Sequence, residues 1–265
     1  MMFDEVSVFN FSGIYDEESF YRNDKGSSFC NAVVKKFDLR EMSGTNCMCD
    51  DAAVDSIRRL LSDEKVAAGG VHFIDSGNYH YMSALLTQLL KEPFSLVVLD
   101  HHPDMQPPMF GDILSCGGWV LKVLEENEFV RDVHIIGADE KLVALLDPED
   151  ASKVKFYDFE NGGDEPGSGA VSFDVESFKT DYPVYLSIDK DVLSRKEVVT
   201  NWDQGDMDCR QLFLLVKKLM AQGKLLGVDV CGECAPDQED CDVAAAISGN
   251  DAFNRQILEL LLEED

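Results

Sequence analysis

Positive charge is scarce in this sequence. Against 51 Asp and Glu stand 23 Lys and Arg, leaving a formal net charge of −28. A field of that sign repels phosphate backbones and attracts small cations. Nucleic acid is excluded as an expected partner, and a small cationic substrate is favoured. Long apolar runs are missing too: none approaches the roughly 20 residues that cross a bilayer, so no membrane association is expected. The opening Met1-Met2-Phe3-Asp4-Glu5 is acidic where a secretory signal would be basic and then apolar, so no such signal is expected. A disulfide framework is also lacking. The eight cysteines (30, 47, 49, 116, 209, 231, 234 and 241) follow no regular spacing, and a chain of 265 residues can bury a core without covalent staples. Reduced thiols in a cytoplasmic protein are the expectation. Cys231-Gly-Glu-Cys234 has the spacing of a redox pair or half a zinc site, but no second such pair completes a four-sulfur cage. No internal repeat and no interdomain linker is found, so one domain over 1–265 is expected. The Gly-rich stretch 161–169 reads as a surface loop, and 23–28 as a polar turn.

Short β-branched runs at 6–11, 71–74, 95–99, 133–136, 154–157, 184–188 and 225–230 predict strands. Apolar residues at helical spacing predict amphipathic helices over 79–90, 117–126, 140–146, 209–221 and 251–263. Strand alternating with helix implies right-handed crossovers that cover both faces of a mostly parallel sheet, a three-layer α/β/α sandwich.

Three polar clusters follow directly after three of these strands: Gly77-Asn-Tyr-His80, Asp100-His-His-Pro-Asp104 and Ser187-Ile-Asp189-Lys-Asp191. In an open parallel sheet the loops at the carboxyl ends of the strands converge on a crevice, so the clusters should meet there. In an extended segment alternate side chains share a side. Asp100, His102 and Asp104 can therefore enter one site together, as can Asp189 and Asp191. Four carboxylates with two imidazoles suit Mn²⁺ or a similar octahedral ion, and two divalent cations would neutralise the four aspartates. His80 alone, after a strand, would be read as a hydrogen-bonded structural histidine, and Asp189 with Asp191 alone as a helix cap. The clusters taken together, in this order, point to a metal site.

With these residues in view, the chain resembles the ureohydrolases, the arginase, agmatinase and formimidoylglutamase group, from Val71 to Pro236. Gly77-Asn-Tyr-His80 stands in place of the family's Gly-Gly-Asp-His. Asp100–Asp104 is similar to Asp-Ala-His-x-Asp, Ser187–Asp191 to Ser-x-Asp-x-Asp, and Val133–Gly137 to a strand ending in Ile-Gly. The resemblance implies an α/β/α sandwich holding two manganese ions. One would be bound by His80, Asp100, Asp104 and Asp189, the other by Asp100, His102, Asp189 and Asp191. It also implies a hydroxide bridging the two ions that attacks a guanidinium or amidine carbon, and assembly into homo-oligomers.

The departures are specific. Tyr79 and Tyr81 flank the first histidine where the family has Asp and Ser, and Ser194-Arg195 replaces a closing Asp-Pro. Where arginases carry a His-Gly loop for proton transfer, this chain has Asp112–Trp119, with Cys116 as a substitute proton donor or acceptor. Asp104 and Cys116 join Glu233 as the catalytic candidates. Gly227–Glu233 resembles the family's late strand, whose terminal glutamate receives the substrate's cation, but Glu233 falls one residue late, so a bulge would have to restore its direction. His101 beside His102 invites comparison with single-zinc histone deacetylases, yet His80, Asp104 and Asp191 would be surplus there; His101 is expected on the opposite face of the segment or behind a ligand that it orients. His72 and His134 are expected to be structural, and Trp202 to pack on the core or line the pocket. The leading expectation is a hydrolase of linear C–N bonds in guanidino or amidine compounds. A metal-dependent amide hydrolase or deacylase, and a metal-binding relative without catalysis, are the alternatives.

Overall fold

The computed structural model describes residues 3–22, 32–158, 171–223 and 225–262. The turn expected at 23–28, the loop expected at 161–169 and the last residue of the helix expected over 251–263 lie outside them. In chain order the elements are β1 (Glu5–Asn10), β2 (Val33–Asp38), β3 (Met48–Cys49), α1 (Asp51–Asp63), β4 (Val71–Phe73), α2 (Met82–Thr87), β5 (Phe94–Leu99), β6 (Leu114–Ser115) and α3 (Trp119–Glu126). There follow β7 (Val130–Ile136), α4 (Glu140–Val143), α5 (Pro148–Ala151), β8 (Lys155–Asp158), β9 (Val171–Ser172), β10 (Val184–Asp189), α6 (Cys209–Ala221), β11 (Leu225–Cys231) and α7 (Val243–Leu262).

Nine strands form one sheet in the order β2-β1-β4-β11-β10-β5-β7-β8-β9, and every pairing in it is parallel. The central strands β5 and β10 are buried at every residue, as a sheet covered on both faces requires. Their side chains divide by parity. Val97, Leu99, Leu186 and Ile188 join a core with Leu212, Leu215 and Leu219 of α6 and Ile257, Leu258 and Leu261 of α7. Leu96, Val98 and Tyr185 face the other way, onto Ile57 and Leu61 of α1, Leu85 of α2 and Trp119 and Val120 of α3. This is the three-layer sandwich the alternation predicted.

The helices are anchored by conventional caps. Asp50 accepts from the Ala53 amide at the start of α1, and Asp208 with Gln211 makes a reciprocal capping box on α6. One helix departs from expectation: 79–90 resolves into a 3₁₀ turn over Gly77–Tyr79 and a short, wholly buried α2, so His80 sits at the junction between them. No helix among the described residues is long and apolar enough to cross a membrane.

Candidate metal centre

The parallel register brings the carboxyl ends of β4, β5, β10 and β11 side by side: Ile188 pairs with Leu99 on one flank and with Val230 on the other. His80, from the turn after β4, presents Nδ1 to three carboxylates, 3.3 Å from Asp100 Oδ2, 3.1 Å from Asp104 Oδ2 and 3.3 Å from Asp189 Oδ2. His102 presents Nδ1 to two, 2.9 Å from Asp191 Oδ2 and 3.6 Å from Asp100 Oδ1. All six residues expected from the sequence therefore face one site. Among the described residues they fall into three overlapping groups: His80 with Asp100 and Asp104, Asp100 with His102 and Asp191, and His80 with Asp189 and the buried Cys231. Asp100 belongs to the first two, and Asp189 meets the first through His80.

The backbone that supports these groups is specialised. Asp104 has a positive φ of 48°, and its Oδ2 also accepts from Trp119 Nε1 at 2.7 Å. The Asp189 carboxylate accepts from the Asp191 amide at 2.9 Å, and Asp191 Oδ1 accepts from the His101 amide at 3.0 Å. Behind His80, Nε2 lies 2.9 Å from Ser187 Oγ, and Ser187 donates to Asp229 Oδ1 at 2.7 Å. Because Ser187 spends its proton on Asp229, His80 Nε2 is the donor to Ser187, which leaves Nδ1 with a lone pair for a cation. His102 Nε2 is held 3.1 Å from Asp203 Oδ1 in the same manner. Ser187, Asp229 and Asp203 are supporting residues that the sequence reading left without a role.

Charge is poorly balanced among these groups. Burial would depress the His80 imidazole, but the adjoining Asp100 and Asp104 carboxylates overcome this and hold it well above the usual histidine range. Asp104 is pushed up to about 7 by burial and by the Asp100 charge. Asp191 is raised by burial and by Asp189 and Asp100. Protons thus stand where cations would relieve the repulsion. Asp100 Oδ2 is buried with no hydrogen-bond donor, and the remaining oxygens and imidazole nitrogens form a hard-to-borderline donor set. The residues fit divalent ions of the manganese type.

The centre forms part of the lining of a cavity of about 710 Å³, whose wall includes Cys47, Cys116 and Trp202. Trp202 is thus a pocket residue rather than a core one; its ring stands so close to Gly77 that a Cβ there would lie 2.6 Å from Cδ1. The Cys116 thiol is raised by its hydrogen bond to Cys47 and by burial, which keeps it protonated and unsuited to serve as a base at neutral pH. Glu233 requires the larger correction. It does not line the cavity. Its Oε1 is ion-paired with Lys190 Nζ and accepts from Asn254 at 2.7 Å, all fully buried. Lys190 lies between Asp189 and Asp191 and must point away from both, so the carboxylate that neutralises it points away from the pocket as well.

The other expectations divide similarly. His101 Nε2 is 3.9 Å from Asp203, and His101 does not line the cavity. His72 is fully buried in β4, pushed down to about 4 by burial, and His134 stacks on Tyr157; both stand away from the cavity. Cys231 and Cys234 are buried and unpaired, and Cys231 Sγ donates to Ser76 O at 3.3 Å.

Solved structures with this architecture include the proclavaminate amidino hydrolase of Streptomyces clavuligerus, at 17% identity and a TM-score of 0.63 over 99% of this chain and 93% of that one. Arginase of Bacillus cereus gives 15% identity and 0.64 over 98% and 99%, and formimidoylglutamase of Bacillus subtilis 12% and 0.62 over 100% and 89%. In sequence, an uncharacterised protein of Thermotoga maritima is 28% identical over 231 residues, which is 87% of this chain and 80% of that protein. The family model described as "Arginase family" matches residues 27–253, and by that match over most of its length the chain belongs to the arginase family.

Proposed function

We propose that this protein hydrolyses a linear C–N bond of a guanidino or amidine compound with two divalent ions, manganese foremost. His80, Asp100, Asp104 and Asp189 would hold one ion, and Asp100, His102, Asp189 and Asp191 the other. The observation that carries the reading is the convergence of three carboxylates on His80 Nδ1 beside the second group on His102 Nδ1. Two such ions supply an activated water at neutral pH and offset the charge that develops on the substrate. The protein's own groups do the positioning. Ser187 and Asp229 fix the tautomer of His80, Asp203 that of His102, and Trp119 the Asp104 oxygen that faces His80. In the overall reaction a hydroxyl joins the carbon, the C–N bond breaks, and the departing nitrogen leaves with the proton.

One observation favours a second reading, a metal-dependent amide hydrolase: with Glu233 paired to Lys190, the pocket lacks the carboxylate expected to receive a cationic guanidinium. Manganese-loaded protein, its metal content first measured, should release urea or ammonia from a panel of guanidino compounds. Release of amine from acyl amides alone would transfer the assignment to the second reading, and bound metal without turnover of either would leave a binding protein.

A further inference from the structure

The cavity has a chemistry of its own beyond the metal centre. Its lining includes Met105, Met109 and Ile113 from one segment and Leu142, Leu145 and Leu146 from another. No Lys or Arg is among the described residues that line it, whereas Asp147 and Asp150 are. Asp150 is already paired with Lys153 at 2.7 Å. A substrate with a carboxylate or phosphate at its far end would therefore meet Asp147 and an Asp150 whose own cation is already engaged, an electrostatic penalty in a partly dry cleft.

The lining includes the two most exposed large apolar side chains of the described residues, Leu145 at 81% and Met109 at 73%, and Phe110, next to Met109 in the chain, is 70% exposed. Trp202, 40% exposed, adds an aromatic edge. Exposed apolar residues scattered singly need no explanation, but a cluster at the rim of a cavity with candidate catalytic groups at its floor marks a binding surface. About 710 Å³ far exceeds what a guanidinium or amide head occupies.

We infer that the substrate carries an apolar chain behind the group presented to the metals, held by the 105–113 segment and Leu142–Leu146, and that it has no anionic tail. This rests on the hydrolytic reading for the fate of the head group, but not for the binding of the chain. The probes are ethyl-, butyl- and octylguanidine, the primary amides of matching length, and 4-guanidinobutanoate. Each is titrated calorimetrically into manganese-loaded protein and assayed for turnover.

In at least one series affinity should rise roughly fourfold for each methylene that leaves water, and 4-guanidinobutanoate should bind more weakly than butylguanidine. Leu145→Asp, at a site too exposed to threaten folding, should reduce the octyl-to-ethyl affinity ratio at least tenfold. Leu214→Asp, on the remote surface of α6, should leave that ratio unchanged. Equal affinity across chain lengths in both series, tighter binding of the carboxylate compound, or no binding at all overturns the inference. Chain-dependent binding without turnover upholds it while refuting the hydrolytic reading. Turnover of the shortest compounds without any chain dependence does the reverse.

Discussion

A histidine that offers one ring nitrogen to a cation needs the other ring nitrogen fixed, and the two imidazoles here are fixed unequally. His80 leans on a buried hydroxyl and, through it, a buried carboxylate; His102 leans on Asp203, whose side chain is largely exposed. Loss of such a partner lowers metal affinity roughly 10- to 100-fold. Ser187→Ala should fall at the upper end of that range and Asp203→Asn at the lower, while Asp189→Asn should lose metal outright. Equilibrium dialysis against Mn²⁺ with elemental analysis ranks the three, and full occupancy in Asp189→Asn would remove that residue from the ligand set. Glu18 tests the opposite face. Burial, then the charge of Glu233, pushes its carboxyl up to about 10 from an ordinary 4.5, so folding retains a proton that the unfolded chain gives up. The stability this group contributes is whole below pH 4.5 and drains as pH rises towards about 10, by up to about 1.4 kcal/mol per unit. Glu18→Gln should flatten that slope in denaturant titrations across the window; an unchanged slope would mean that other groups carry it. The six candidate ligands were legible because alternation along extended backbone is a local rule. Glu233 was misread because its direction depends on Lys190, although a lysine flanked by two inward aspartates was itself a sign that a carboxylate must wait on the other side.

Elements aim these residues, and turns set the aim. Gly232 leaves β11 at φ 95°, where a Cβ would press on Asp189 Oδ1 and lie 2.8 Å from Lys190 N. Gly223 also has a positive φ, 67°, but has nothing within 4 Å. Both alanine substitutions should cost about 1–2 kcal/mol for the left-handed backbone. Only Gly232→Ala should also weaken manganese binding, read by calorimetry with circular dichroism as a check on folding, and equal affinity in the two variants would show that crowding against Asp189 is immaterial. Burial explains which elements were readable in the sequence. β5 and β10 appear as unbroken apolar runs because both their faces are covered. β2, an edge strand with a single buried residue, carries Lys35 and Lys36 and gives no such run. α1 buries three side chains in 13 residues, a stripe too thin to stand out, though Asp50 at its cap was a usable signal. The wholly buried α2 has no polar face to mark where it begins.

For the molecule as a whole, the cost of gathering four aspartates at one sheet edge falls on the metal-free protein, and ions that bind only the folded state should repay it. At a free concentration one hundred times the dissociation constant, each site adds about 2.7 kcal/mol. Thermal unfolding of the chelator-treated protein should move upward on adding Mn²⁺, with a dependence on metal concentration that Asp189→Asn abolishes. Identical Tm values with and without metal would count against ions being held by this centre. The buried lysine between the two inward aspartates has one more consequence, which concerns the order of synthesis. Its partners Asn250 and Asn254 stand 60 and 64 residues further along the chain, on α7. On the ribosome β4, β5 and β10 therefore emerge long before the helix that encloses Lys190, and until then the turn bearing Asp189 and Asp191 has no wall behind it. On the proposed reading metal capture would be a late event, completed when α7 docks, and the nascent chain would pass through the cell's pool of competing ions with its site still open.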